Sequence, residues 1–489
     1  MIVRVFFVFK QMELEAIIGL EIHAQISSKT KIFSSSSADY FGKEPNINID
    51  PVCLGMPGQL PVLNEQALVK GIKAAMALNC KINKYSHFDR KNYFYPDLPK
   101  GYQISQFEFP ISEKGFLEIS VNGTKKTIGI TRLHLEEDAG KLSHFQGGTL
   151  IDYNRAGVGL MEIVSEPDIR TPEEAVAYAK SIQKILRYVD SSDADMEKGM
   201  MRFDASVSLR PKGESKLYPR AEIKNLNSFR SLEIAIGYEI ERQKKLWEEG
   251  KVQNENITVG YDDTKGMTYF MRNKEGSDEY RYFPEPDLPP IILEDEFIAK
   301  LKASLPELPD LKYAKYIKDY GLSEAEALFL IEDRDLSFYY DKVVLSSGDV
   351  KKSNSLVLSL LVGLLKKDAL SIKDVKITAE NMAKLIKMVN DGGITMNIAK
   401  GEVFEEMFIT GKDPAEIVEE KGLKSNNDSG DLEKICKEVM SLNEKSVKDY
   451  QSGKENAFKA LIGQVMKATR GQANPQLANE ILLNLLKQK

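Results

Sequence analysis

The sequence predicts an α+β chain: an N-terminal part built on an antiparallel β-sheet, followed by a helical C-terminal part. Three observations carry this. Met201 to Arg210 alternates strictly between apolar and polar residues, the period of a strand with two unlike faces. Asn122-Gly123 stands between two alternating runs, a strong hairpin signal. After Ser304-Leu-Pro-Glu-Leu-Pro309 the alternation stops and apolar, turn-poor segments take over.

The first strand reads IGLEIHAQI from Ile18 to Ile26. Ile18, Leu20, Ile22, Ala24 and Ile26 make an apolar face; Gly19, Glu21, His23 and Gln25 make the other. In the hairpin, Leu117, Ile119 and Val121 alternate before the Asn-Gly turn. The return strand carries Ile128 and Ile130 on one face, then Leu133 and Leu135 in the other phase, which predicts a bulge near Thr131 or Arg132. That strand runs into Glu136, Glu137 and Asp138. In Met201–Arg210, Met201, Phe203, Ala205, Val207 and Leu209 face inward. Arg202, Asp204, Ser206, Ser208 and Arg210 face either open solvent or a cleft, and the strand alone favours solvent.

Further on, Ala325–Ile331 and Leu356–Leu365 predict helices; the second is lysine-flanked and too short to cross a membrane, so a buried helix is expected. A polar break, Lys424 to Gly430, precedes a pair of helices. Ala457, Leu461, Val465 and Phe458, Ile462, Met466 form adjoining i, i+4 rows. Gly471 ends that helix, and Asn474-Pro475 caps the next. Lys454, Lys459, Lys467 and Arg470 make the pair locally basic; a solvated face is the simpler reading of such charges, RNA contact the sharper one.

With 489 residues, 42% hydrophobic and 29% charged, the chain has the composition of a multi-domain soluble protein. A net charge of −6 argues against bulk electrostatic capture of nucleic acid. Cys53, Cys80 and Cys436 are too few and too scattered for a disulfide framework, which fits a reducing compartment. The opening MIVRVFFVFKQMELE is shorter than a membrane span and has no small-residue cleavage site. A cytoplasmic location without membrane attachment is expected. Met12 is an alternative start, since the strand pattern begins at about Ala16.

An acid and an imidazole two residues apart on a strand, Glu21 and His23, project side by side and suit a divalent cation or a proton relay. They gain weight if folding brings Glu136 and Glu137 to them; otherwise they are a polar outer face. No Gly-x-x-x-x-Gly-Lys-Ser/Thr loop exists, so no P-loop holds a nucleotide. Gly157-Val-Gly159 lacks the third glycine of a dinucleotide fingerprint and reads as a turn. His23, His87, His134 and His144 have no helical zinc-protease spacing.

Several blocks together, IGLEIHAQ, FDRKNYFYPDLPKGYQISQ, RLHLEEDAGK, LMEIVSEPD, EIKNLNSF and YRYFPEPDLPP, with GQANPQLANEIL near the end, strongly resemble the GatB/GatE family, to which the B chain of the aspartyl/glutamyl-tRNA amidotransferase belongs. The resemblance runs from about Ala16 to the C-terminus. It implies a cradle-like catalytic domain over 12–303, a helical domain over 304–411 and a small all-helical tail over 412–489. That tail is similar to free-standing YqeY-type proteins and would bind tRNA. The implied reaction corrects Glu-tRNA(Gln), Asp-tRNA(Asn) or both. ATP and Mg²⁺ serve to phosphorylate the side-chain carboxylate, and ammonia then displaces phosphate to give the amide. This is a carbon–nitrogen ligase with glutamine as amide donor. A partner amidase (GatA) makes the ammonia, and a small third component (GatC) completes a heterotrimer. No Ser-Ser-Lys amidase machinery is visible here, in keeping with that division. The chemistry is coherent: a carboxylate is a poor electrophile, and moving a phosphoryl group onto it calls for a hard cation.

By the same resemblance, Glu21, His23 and Glu137 match the metal positions, with Glu136 beside them. Lys91 matches the mouth of the ammonia route, where a structural ion pair is the competing reading. Arg202, Asp204, Ser206, Lys224 and Asn225 are candidates for nucleotide or acceptor-end contacts. Some relatives carry Cys-x-x-Cys where this chain has Asp50-Pro-Val-Cys53, and the lone cysteine argues against a structural zinc. Two other classes remain open on the residues alone: a Mg²⁺-dependent phosphohydrolase using the same acids, and a non-catalytic tRNA-binding scaffold.

Overall fold

The computed structural model describes residues 13–273, 277–425 and 428–487; Met12 lies outside them. The chain divides into two compact units with the boundary between Leu311 and Lys312.

The first unit is organised by a nine-stranded sheet. Its order is Met267–Asn273, Ile257–Asp262, Ala221–Leu226, Met201–Pro211, Leu14–Gln25, Gly159–Ser165, Thr124–Glu137, Ser112–Val121 and Lys81–Ile82. All neighbours are antiparallel except Ala221–Leu226 with Ile257–Asp262. One face carries the expected apolar alternation. Ile18, Leu20 and Ile22, and Met201, Phe203, Ala205, Val207 and Leu209, are all buried. They pack with residues of two long helices, Pro172–Tyr188 and Phe229–Glu248. The first of these starts at Thr171, whose side chain accepts from Glu174 N, followed by Pro172 in the first turn. Each such apolar side chain contributes roughly 1.5–3 kcal/mol on burial.

The hairpin turns at Asn122 and Gly123, with φ of 51° and 78°, the backbone an Asn-Gly pair tolerates best. Beyond it the expected bulge is present. Val164 pairs with Arg132 and Ser165 with Ile130, so Thr131 is the extra residue.

The second unit is helical. One buried cluster spans Tyr316 to Leu423, and in it Leu356, Val357 and Leu361 are fully buried. Another spans Leu432 to Leu486 and is built by four helices, Ser429–Leu442, Glu444–Gln451, Glu455–Ala468 and Pro475–Lys487. In Glu455–Ala468, Leu461 and Val465 are buried and Phe458, Ile462 and Met466 pack at the edge. Asn474 Oδ1 accepts from Gln476 N and Leu477 N, capping the last helix. Among the described residues no helix is long and apolar enough to cross a membrane.

Candidate active site

The second face of the sheet is where the chemistry collects. Strand register decides which residues share it. His23 lies opposite Glu162 on one side and Arg202 on the other, and Glu21 lies opposite Asp204. Glu162 lies opposite His134, and Leu160 opposite Glu136. Because alternate residues share a face, Arg132, His134 and Glu136 join Glu21, His23 and Glu162.

Two groups of potential ligand atoms converge, each within 4.8 Å: Glu21, His23 and Asp204, and His23, Glu136 and Glu162. His23 Nδ1 is 3.3 Å from Glu136 Oε1, yet this buried nitrogen has no aligned hydrogen-bond partner among the described residues. His23 Nε2 is 3.9 Å from Asp204. The two groups differ in compensation. Lys224 Nζ donates to Asp204 at 2.7 Å and contacts Glu222 at 2.6 Å, so a fixed ammonium answers the first. No ammonium among the described residues touches the second.

The electrostatics follow. Burial and the neighbouring Glu136 push the Glu162 carboxyl up; burial and Glu162 push Glu21 up. Burial also acts to raise Glu136, but His23, His134 and Lys91 overcome it and hold that carboxyl at about 2. Burial drives the His134 imidazole down to about 3, so it is neutral at pH 7. Burial would lower His23, but Glu136 and Glu162 outweigh it and raise it. A buried site with two carboxylates pushed up is short of positive charge. Two carboxylates and an imidazole with an unpartnered nitrogen fit a divalent cation.

Glu21, His134, Glu136 and Glu162 line a cavity of about 470 Å³. Strands Asp89–Asn92 and Tyr102–Ser105 contribute Lys91 and Ser105 to it, and Tyr280 and Tyr282 lie across it. Lys91 Nζ stands 4.9 Å from the Tyr280 ring centre. Burial would lower Lys91, but Tyr282, Glu136 and Glu162 raise it, so it remains an ammonium. A second cavity of about 530 Å³ adjoins and shares Glu21, Arg220 and Asn256 with the first.

The expected set of Glu21, His23 and Glu137 does not converge. Glu137 follows Glu136 on the same strand, so its side chain leaves on the opposite face. There it takes the Lys100 ammonium and the N–H of Ile104, 2.9 Å away. Glu136 and Glu162 stand beside His23 instead. Asp204 and Lys224 are joined as described, and Ser206 lines the second cavity. Arg202 points its guanidinium to Asp138, 3.2 Å away. Asn225 contributes its backbone N–H, 2.8 Å from Asp204 Oδ1, rather than its exposed side chain. The Arg202–Arg210 polar face is thus a cleft floor, with Asp204 and Ser208 buried, not the open surface its strand alone favours. Sequence reasoning misses Glu162, His134, Arg132 and Glu222. Glu162, His134 and Glu222 have a signal, an alternating polar position between buried neighbours, as in Met161-Glu162-Ile163.

The loop bearing Cys53 does not fit a structural zinc. Asp50 Oδ1 accepts from Cys53 Sγ at 2.9 Å, and the buried Lys31 ammonium donates to the same sulfur at 3.4 Å and to Asn48 O at 2.7 Å. A fixed cation beside a single thiol opposes a second cation there.

A cavity over a sheet floor, with convergent acids and histidines of displaced pKa, is the arrangement of an enzyme active site. Residues 16–299 match the model of the GatB/GatE catalytic domain, and residues 338–486 that of the GatB domain. The chain is 48% identical over 479 residues to the B chain of the aspartyl/glutamyl-tRNA(Asn/Gln) amidotransferase of Persephonella marina, covering 97% of this chain and 100% of that protein. It is 48% identical to the proteins of the same name from Bacillus mycoides, over 96% and 99% of the two chains, and Thermodesulfovibrio yellowstonii, over 98% and 100%. The chain belongs to the GatB/GatE family, and it is one component of an amidotransferase, an enzyme of the carbon–nitrogen ligase class.

Proposed function

We propose that this chain amidates misacylated tRNA, Glu-tRNA(Gln), Asp-tRNA(Asn) or both. ATP phosphorylates the side-chain carboxylate and ammonia displaces the phosphate. The observation that carries this is the meeting of His23, Glu136 and Glu162, the two acids lining the cavity, with no ammonium among the described residues touching the three. Mg²⁺ bound by those three side chains would neutralise charge during phosphoryl transfer. Lys224 keeps Asp204 and Glu222 compensated, which reserves the other group for that ion. His134, neutral and adjacent, adds no charge of its own. Lys91, held as an ammonium, suits orienting an anionic oxygen better than taking a proton from ammonium.

Ammonia would come from glutamine through a partner amidase (GatA), with a small third component (GatC) completing a cytoplasmic heterotrimer. The C-terminal helices, with Lys459, Lys467 and Arg470 exposed, would hold the body of the tRNA. The test uses the purified chain with ATP, Mg²⁺ and Glu-tRNA(Gln). Ammonium should support Gln-tRNA formation, whereas glutamine should not until the amidase is added. Glutamine-dependent activity of the chain alone would sink the division of labour. ADP formation that ignores aminoacyl-tRNA would favour a phosphohydrolase, and tRNA binding without any turnover would favour a scaffold.

A further inference from the structure

The cations lining the charged cavity are not equally occupied. Lys224 is committed to Asp204 and Glu222, 2.7 and 2.6 Å away. Lys91 rests over the Tyr280 ring. Arg132 lines the same cavity, and its guanidinium makes no hydrogen bond or ion pair among the described residues; its Nε is buried without a partner. An unpaired buried guanidinium N–H costs free energy and calls for an explanation. Two acids flank it by register. Glu113 is its neighbour on one adjoining strand, and Glu162 lies diagonally across on the other. Neither pairs with it. The bulge at Thr131 turns Arg132 to this face, in line with His134 and Glu136. Arg132 precedes Glu136 by four residues, roughly 13 Å along the strand.

We propose that Arg132 recognises the side-chain carboxylate of the amino acid carried by the tRNA, and so tells substrate from product. The inference rests on the reading that this chain amidates misacylated tRNA. Substrate and product share the tRNA and the ester, and differ at one place, where a carboxylate becomes an amide. The group that reads this difference has to respond to charge and to the number of acceptors. A guanidinium does both. It keeps its proton even when buried, and its parallel N–H groups match both oxygens of a carboxylate. An amide offers it one acceptor oxygen and one NH2, which sets donors against donors. The surroundings sharpen the need. Glu21 and Glu162 line the same cavity and repel an entering carboxylate. The interval between Arg132 and Glu136 leaves room for that carboxylate at one end and a transferring phosphoryl group at the other. Once the amide has formed, the fork loses half of its acceptors, which favours release of the product.

The experiment measures binding of Glu-tRNA(Gln) and Gln-tRNA(Gln) to the full chain assembled with its amidase partner, with Mg²⁺ and without ATP, so that nothing turns over. The wild type should hold Glu-tRNA(Gln) on the order of tenfold or more tighter than Gln-tRNA(Gln), the scale of a charged hydrogen bond. Arg132→Gln should weaken Glu-tRNA(Gln) alone and bring the two within about twofold of each other. Arg132→Lys, which keeps the charge and loses the fork, should fall between them. Affinity for ATP and for Mn²⁺ should match the wild type in both variants, and the latter also reports that the sheet is intact. A merely structural arginine would weaken both tRNAs alike or neither, and either result overturns the proposal. So does a loss of ATP affinity with the substrate-to-product ratio unchanged, which would give the guanidinium to the nucleotide phosphates. A wild type that amidates Glu-tRNA(Gln) yet binds both tRNAs equally overturns the role of Arg132 and leaves the functional reading standing. A wild type that forms no Gln-tRNA(Gln) from Glu-tRNA(Gln), ATP and ammonium overturns the functional reading and this role together.

Discussion

Glu136 and Glu137 are neighbours on one strand and occupy opposite sides of the sheet. Glu136 looks into the charged cavity at His23; Glu137 looks the other way and is taken by Lys100 and the Ile104 N–H. The two side chains are equally buried, at 3% and 4% exposure, so burial cannot tell them apart. What separates them is the company each keeps. Glu137 has a fixed ammonium and a backbone donor, the satisfied state of a structural carboxylate. Glu136 has an imidazole without an aligned hydrogen bond and a second carboxylate, Glu162, pushed up beside it. A site is read here from incomplete compensation, not from the presence of acids.

The sharpest way to break the comparison is to neutralise each acid. Glu136→Gln should cut tRNA-dependent ADP formation on the order of a hundred- to a thousand-fold while the fold survives. Isothermal titration with Mn²⁺ should show the loss of a site. Glu137→Gln should do the reverse: roughly 3 kcal/mol of stability lost, because the Lys100 ammonium stays buried without its carboxylate, and Mn²⁺ affinity retained. Chemical denaturation with the same titration checks it. If Glu137→Gln abolishes cation binding in a protein of normal stability, the assignment of the two faces is inverted.

A smaller effect comes from the second unit. Substituting Lys459, Lys467 and Arg470 with Ala should raise the KM for aminoacyl-tRNA several-fold and flatten its salt dependence, with kcat at saturation nearly unchanged. A collapsed kcat at normal KM would show that these helices support catalysis and not tRNA docking. The smallest effect is expected at the Cys53 loop. Treatment with a strong chelator should leave the melting temperature unchanged, and elemental analysis should find far less than one zinc per chain. Stoichiometric zinc would mean that the Lys31 ammonium gives way to a metal.

How much of this is legible in the sequence follows from how local each fact is. Strand alternation, the Asn122-Gly123 turn, the Thr131 bulge and the Asn474 cap all depend on a few consecutive residues, and all can be read from them. The face of Glu136 is also within reach. Leu133 and Leu135 are buried, so the same alternation sends Glu137 to their side and Glu136 to that of His134. The weight of the family pattern conceals that. The meeting of Glu162 with His23 is not legible. It depends on the register of strands far apart in sequence, which no local pattern sets. The open or closed character of the Arg202–Arg210 face is hidden for the same reason, since the cavity over Ser206 and Ser208 takes walls from Pro167 and Asn256, distant in sequence.

The bulge at Thr131 acts as a reading frame. Upstream of it Ile128 and Ile130 face the apolar side; downstream, Leu133 and Leu135 do, one step out of phase. With Thr131 kept in unbroken alternation and no bulge, the buried phase would continue through Arg132, His134 and Glu136. Glu137 would then be offered to the cavity in place of Glu136. Gain of one codon between Arg132 and Leu133, with the bulge kept, would have the same result: it would exchange the places of two glutamates and drive His134 among apolar side chains, with every candidate site residue still encoded. Between the hairpin and the cavity this strand tolerates substitution far more readily than a change of length, and natural variation there should come as replaced residues at constant spacing.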